Sequence, residues 1–117
     1  MRTLLSLAFS VAILATAPLA MADADLEKGQ QVYTMFCSTC HGATGDGQGP
    51  VGKVLQPPPR DFTAGDFKYG GSDQDIFQVI SDGAASKGGS PLMAPWGAVI
   101  PEPDRWAIVK YIRSLKK

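Results

Sequence analysis

The stretch MFCSTCHGATGDG, residues 35–47, contains both cysteines of the chain and its single histidine. Cys37, Cys40 and His41 form a Cys-x-x-Cys-His run within it. No other thiol or imidazole occurs in the 117 residues. Any chemistry that needs these groups must therefore take place at this point in the chain.

The residues ahead of this run have the features of a secretory leader. Arg2 gives a basic start, a long apolar run follows, and Ala20–Ala22 matches a small-residue cleavage pattern. We therefore predict a signal peptide over residues 1–22, cleaved near Ala22, and one exported periplasmic domain over residues 23–117. An uncleaved membrane anchor is the alternative, because the apolar run is just long enough to allow it.

The composition describes a small domain without a strong charge. Eleven basic and 11 acidic residues give a net charge of zero, and no basic patch or charge run suggests nucleic acid as a partner. A domain this small buries a limited core and is often stabilised by disulfides, a metal or a cofactor. A bridge between the two closely spaced cysteines would constrain almost nothing, so another use for them is expected.

Apolar periodicity predicts an all-α domain of three or more helices joined by long loops. The predicted helices cover residues 24–42, 71–83 and 101–117. Asp23 or Asp25 can cap the first helix, and Ser72 with Asp75 forms a capping box at the second. Long loops are unfavourable unless something inside the fold organises them.

Three kinds of site compete for the Cys-x-x-Cys-His run. A redox thiol pair usually opens a helix, whereas this pair is predicted to close one. A structural zinc site needs four nitrogen or sulfur ligands, and this chain offers three. Cys-x-x-Cys-His is the attachment signature of c-type haem: on a helix end, Cys37 and Cys40 lie one turn apart, and His41 follows directly. We therefore predict one haem c, attached through both cysteines, with His41 as an iron ligand.

The second axial ligand follows by elimination. With His41 used, a methionine thioether is the best remaining ligand. Met35 lies on the attachment helix and cannot easily cross to the far face, whereas Met93 lies downstream between Pro91 and Pro95, which stiffen its loop. We therefore predict Met93 as the ligand, against the view that it merely fills core. Tyr69, Lys87 and an open coordination position also compete for this place on the iron.

With these elements in order, the sequence resembles the class I monohaem c-type cytochromes of the short bacterial periplasmic kind. The resemblance covers nearly all of residues 23–117. Besides CSTCHG, it depends on a glycine and an aromatic ahead of the motif, Gly29 and Tyr33. It also depends on PLMAPWG, residues 91–97, and on DRWAIVKYIRSL, residues 104–115.

The resemblance implies three to five helices wrapped around one covalent haem, with the N- and C-terminal helices crossing near a right angle. Gly29 would let the two backbones approach each other. Tyr33 would pack against Ile108 and Tyr111 on the last helix.

The resemblance also implies three further residues around the haem. The Pro50 carbonyl would accept a hydrogen bond from Nδ1–H of His41, unless Pro50 only forms a turn. Arg60 would pair with a haem propionate, unless it is a solvated loop residue. Trp96 would donate to a propionate or pack against the haem edge.

The implied function is electron transport rather than catalysis, because His41 and Met93 together leave no iron position open to substrate. We expect redox proteins as partners through transient docking. We expect no nucleic acid, no small-molecule substrate, and contact with a membrane only through partner complexes. The competing functions are a dedicated electron-accepting subunit of a periplasmic dehydrogenase or oxidase, and a ligand-binding haem sensor or peroxidase-like enzyme.

Overall fold

Four α-helices carry the fold in the computed structural model, which describes residues 8–13 and 17–117. They are α1 (Ala17–Phe36), α2 (Ser38–His41), α3 (Asp73–Asp82) and α4 (Glu102–Ser114). Short 3-10 turns cover Gly52–Val54, Phe62–Ala64 and Ala84–Lys87. The described ranges contain no strand, so the predicted all-α class is confirmed.

The first helix differs from its predicted bounds at both ends. It begins at Ala17, so Asp23 and Asp25 lie inside it and cannot be its N-cap. The alanine-rich sequence ahead of them favours helix by itself. The chain then departs from helical geometry at Cys37, with φ −114° and ψ −33°, so the motif lies on the separate short helix α2.

The predicted leader, residues 1–22, includes positions 1–7 and 14–16, which lie outside the described residues. Its removal therefore stays a prediction. Within the part of the chain that is described, no helix combines the length and the apolar character that crossing a membrane requires.

The capping box predicted for the second long helix is present at the start of α3. Ser72 Oγ accepts a hydrogen bond from the Asp75 backbone N–H at 3.0 Å, and the Asp75 carboxylate accepts from the Ser72 N–H at 3.1 Å. Gly83, with φ 80°, ends the helix as predicted. This reciprocal pairing fixes where α3 begins and hence which of its residues face the core.

The Asp75→Asn variant is expected to remove part of the acid sensitivity of the fold. Hydrogen bonds from Ser72 hold the pKa of Asp75 below its usual 3.8. The stability that ionised Asp75 contributes is therefore fully present above pH 3.8 and is lost as the pH falls through the lower folded pKa. Urea denaturation measures the free energy of unfolding of parent and variant. The difference between them should shrink as the pH falls from 3.8 toward the lower pKa of Asp75 in the folded protein. A difference that stays constant from about pH 7 to about pH 3 would contradict this account.

Helices α1 and α4 cross in direct backbone contact at Gly29. A Cβ atom there would lie 2.7 Å from the carbonyl carbon of Ala107 and would collide with its oxygen. Since only glycine lacks a Cβ, the sequence fixes the depth at which the two helices pack. The predicted close approach of the two helices at Gly29 is confirmed, whereas a crossing near a right angle stays a prediction.

Tyr33 connects this crossing to the Cys-x-x-Cys-His run. Its side chain is fully buried, as is Ile108 in the same core cluster. Its ring meets Tyr111 edge to face at 5.1 Å between centroids, as predicted. Its hydroxyl donates to the buried carbonyl of Gly42 at 2.7 Å. The residue that follows His41 is therefore tied to the helix crossing.

We expect Tyr33→Phe to destabilise the fold by about 1–3 kcal/mol, because the buried Gly42 carbonyl loses its donor while the ring remains. Tyr111→Phe is the matched control, since it removes a hydroxyl at the same helix crossing without touching Gly42. Thermal or urea denaturation of the two variants measures the difference. Equal stability of the two variants would show that the hydrogen bond to Gly42 contributes nothing.

Candidate haem site

A cavity of about 530 Å³ lies against the Cys-x-x-Cys-His run. Its size falls within the range of sites that hold cofactors. Apolar side chains from several elements form much of its wall, among them Phe36, Leu55, Phe67, Ile76, Val79 and Ile80. The cavity therefore offers a largely apolar space beside both cysteines and the histidine.

The fold brings most of the predicted site residues together around this one cavity. Those that line it are Cys37, Cys40, His41, Arg60, Met93 and Trp96. They come from distant parts of the sequence, so their convergence is a property of the fold. The exception is Pro50, which is exposed and lies outside the lining.

The two cysteines are free thiols spaced by one helical turn. The backbone N–H groups of Cys40 and His41 both donate to the Cys37 carbonyl, at 3.3 and 2.9 Å. Cys37 is the N-cap of the four-residue helix α2 and Cys40 is its third residue, so the pair directly follows α1 instead of closing it. Burial raises the pKa of the Cys37 thiol to about 12. A redox-active thiol needs a lowered pKa, so this environment speaks against a redox pair.

His41 is held as a neutral imidazole. Burial lowers its pKa below the usual 6.5, and Nδ1 lies 3.1 Å from the carbonyl oxygen of Arg60. A carbonyl only accepts, so Nδ1 carries the proton and Nε2 keeps a lone pair for a metal. The imidazole also stacks on Phe62, with ring centroids 4.5 Å apart and planes at 16°.

The acceptor for Nδ1–H differs from the predicted one. The backbone around Pro50 runs along α2 instead of along the imidazole edge, since Gly49 N–H donates to the Cys40 carbonyl and Val51 N–H to that of Thr39. The carbonyl of Arg60 takes the role that we predicted for Pro50. Proline-containing loops follow the motif at two places, and the sequence alone did not identify the one that reaches the histidine.

Arg60 lines the cavity, and its side chain makes one long ion pair. Its Nη1 lies 3.7 Å from the carboxylate of Asp66, and both side chains are well exposed, at 36% and 73%. An ion pair with this exposure is weak. Trp96 packs its indole against Phe36, with ring centroids 5.3 Å apart. Pairing of either residue with a propionate stays a prediction.

Met93 lies in a segment that is held to the end of α3 by its backbone. The Met93 carbonyl accepts from Ala84 N–H at 3.1 Å, and Trp96 N–H donates to the Ile80 carbonyl at 2.9 Å. Met93 N–H donates in turn to Ser90 at 3.3 Å. Met93, which lines the cavity, therefore belongs to a segment whose backbone is bonded on both sides of it, and such a segment suits a weak sulfur ligand.

The donor set fits haem and does not fit zinc. Across residues 8–13 and 17–117, no three His, Cys, Asp or Glu side chains gather to hold a metal ion by themselves. Two thiols one turn apart, a neutral imidazole and a thioether instead border a single apolar cavity. An all-helical fold with this site defines a monohaem c-type cytochrome.

Comparison with known proteins agrees with this class of protein and identifies the family to which the chain belongs. Residues 24–112 match the family model described as cytochrome c oxidase, cbb3-type, subunit III. The chain belongs to this family. The match contains the Cys-x-x-Cys-His run and the Met93 segment and reaches into α4.

Similar proteins include two oxidase subunits and a dehydrogenase. The chain is 29% identical over 89 residues to the cbb3-type cytochrome c oxidase subunit CcoP of Azospirillum brasilense, which covers 76% of this chain and 28% of that protein. It is 30% identical over 89 residues to the subunit FixP of Azorhizobium caulinodans, covering 76% and 27%. It is 29% identical over 90 residues to thiosulfate dehydrogenase of Stutzerimonas stutzeri, covering 77% and 27%. The chain thus spans little more than a quarter of the length of these curated relatives.

A solved structure has the same fold. The reducing HAO-like protein complex Kustc0457/Kustc0458 of Kuenenia stuttgartiensis contains a chain that aligns with a TM-score of 0.67 and 32% identity. The alignment covers 77% of this chain and 42% of the other.

Proposed function

We propose that this chain is a one-electron carrier whose haem c is bound through thioether bonds to Cys37 and Cys40 and ligated by His41 and Met93. The observation that carries the proposal is that all four side chains border one apolar cavity. The haem supplies a reversible ferric–ferrous couple when it is bound. The chain supplies attachment, ligands and exclusion of water, and we assign it no catalytic step of its own.

Each chain residue has a definite task in this proposal. Cys37 and Cys40 would hold the haem through two thioether bonds, each made by addition of S–H across one vinyl group, with the sulfur on one carbon and the hydrogen on the other. The Arg60 carbonyl holds the proton on Nδ1 of His41, which orients the ring and raises its basicity as a ligand. The Arg60 guanidinium and Trp96 lie at the same cavity and are available to the propionates.

A dedicated subunit of a larger redox complex is the second candidate. It is favoured by the names of the relatives, two of which are oxidase subunits, and by the aligned chain of a solved complex. Both candidates share the haem site and differ in partnership. Gel filtration of the protein from its native host distinguishes the two candidates, because a free carrier elutes alone and a subunit elutes in a stoichiometric complex.

We propose export to the periplasm for either candidate, since residues 1–22 have the pattern of a secretory leader.

A reduced, pyridine-treated sample of the matured protein is expected to give the spectrum of one haem per chain with both vinyl groups saturated by thioether bonds. The reason is that Cys37 and Cys40 are the two thiols of the chain and both line the cavity. A colourless, well-folded periplasmic preparation with two free thiols would overturn the proposal. Rapid binding of carbon monoxide to the reduced protein at neutral pH would instead favour a ligand-binding sensor.

A further inference from the structure

We propose that Phe62 is a positioning residue that fixes the plane of the His41 imidazole relative to the haem. This inference rests on the proposed function, because it gives Phe62 a task only if His41 ligates iron. The two rings are stacked, with centroids 4.5 Å apart and only 16° between their planes. Phe62 ends the stretch PPPRDF, residues 57–62, in which the sequence predicts a role for Arg60 and none for Phe62.

The stack supplies a restraint that the hydrogen bond to His41 does not. Donation from Nδ1 to the Arg60 carbonyl at 3.1 Å fixes one edge of the imidazole. A single hydrogen bond still permits the ring to rock about the donor–acceptor axis. The flat face of Phe62, in van der Waals contact with the imidazole, opposes that rocking. The hydrogen bond at the edge of the imidazole and the stack against its face therefore define one plane for the ring.

Phe62 is itself held firmly enough to act as this reference surface. Its side chain is 7% exposed. Its ring lies 6.1 Å from that of Phe67 at 27° and 6.5 Å from that of Tyr33 at 64°. It cannot follow a rotating imidazole without disturbing both aromatic neighbours.

The backbone of the same segment is anchored as well. Phe62 N–H donates to the Gly45 carbonyl at 2.7 Å, and the Asp61 carboxylate accepts from Thr63 N–H at 2.8 Å. Arg60 and Phe62 therefore form one short rigid unit, fixed to the loop after α2, that holds the imidazole by its edge and its face. Such support from outside the ligand set is what orients a metal-bound histidine.

The orientation of an axial imidazole plane has a spectroscopic signature. It sets the energy difference between the iron orbitals that overlap with the ligand π system, and hence the g anisotropy of the low-spin ferric form. Loss of fold stability without reorientation of His41 leaves that anisotropy unchanged. Ferric electron paramagnetic resonance therefore distinguishes positioning from packing.

The test compares Phe62→Leu with Phe77→Leu in the holoprotein. Phe77 stacks on Trp106 at 3.9 Å between centroids and lies outside the cavity lining, so the control loses an aromatic face away from His41. We expect Phe62→Leu to give shifted or multiple low-spin signals and a changed midpoint potential. We expect Phe77→Leu to keep the parental signal even where its thermal stability falls by as much.

A second variant covers the case in which Phe62→Leu does not load haem. Phe62→Met keeps a flexible apolar filling without a flat face and should give the same altered signal. Parental g values in either variant would overturn the proposal. So would loss of haem in both variants while Phe77→Leu loads normally, because Phe62 would then be needed for the fold. A parent protein without a low-spin ferric signal would instead count against the proposed function itself.

Discussion

A Met93→Ala variant is expected to stay folded and to keep its covalently bound haem while its reduction potential falls. In the proposed site, two thioether bonds and His41 would hold the haem without Met93, so attachment would not depend on this side chain. A thioether ligand favours the ferrous form of the haem. Removing it should therefore lower the reduction potential by on the order of 0.1 V or more, since axial ligands set haem potentials over a range of about 0.8 V. Redox titration measures the reduction potential, and the ferric spectrum shows whether the haem is retained and whether its ligation has changed.

Leu92→Ala is the matched control for this experiment. Leu92 precedes Met93 in the same segment and also lines the cavity, but it is 63% exposed and has no ligand atom. It should retain the parental potential. If Met93→Ala had the ferric spectrum and potential of the parent, Met93 would not be the ligand. Tyr69, which also lines the cavity, and Lys87 would then have to be tested as ligands.

Gly29→Val is expected to prevent the native crossing of α1 and α4. The added Cβ would collide with the backbone of Ala107, which cannot move aside as a flexible side chain could. Overpacking of this kind typically costs about 1–3 kcal/mol and occasionally more, and a clash with backbone belongs at or above the upper end. Because total stability is only about 5–15 kcal/mol, we expect a large fall in the melting temperature and in the yield of holoprotein.

Gly71→Val is the matched control for the helix crossing. An added Cβ at Gly71 meets nothing within 4 Å, so this variant should change the free energy of unfolding by no more than about 0.5 kcal/mol. Comparable losses in the two variants would mean that the close approach at Gly29 does not limit the fold.

Features that depend on neighbours in sequence could be predicted well. The capping box of α3 needs only Ser72 and Asp75, three positions apart, and it is present. The spacing of Cys37, Cys40 and His41 likewise carries its chemistry locally, and the fold places all three at one cavity. The contact between the terminal helices is long-range, and it could be anticipated only from the resemblance to the c-type cytochromes, which implies the close approach seen at Gly29.

Features that depend on the path of a loop could not be predicted. The acceptor for His41 comes from Arg60 rather than Pro50, because the segment around Pro50 pairs with the α2 backbone. A backbone carbonyl has no signature in the sequence, since every residue has one. Phe62 was missed for a related reason: a single aromatic residue in a loop indicates core, and only the fold reveals that its face meets the imidazole.

The segment that carries Met93 has a consequence for the biogenesis of the protein. It is fastened to the end of α3, whereas the thiols and His41 belong to α2 and its N-cap, and α2 precedes α3 in the chain. In the proposed site, the residues that would attach the haem therefore precede, in the chain, the segment that would supply the sulfur ligand. Ligation by Met93 would require its segment to be seated against the end of α3, so the haem spectrum of the proposed holoprotein would report the folding of this later part of the chain.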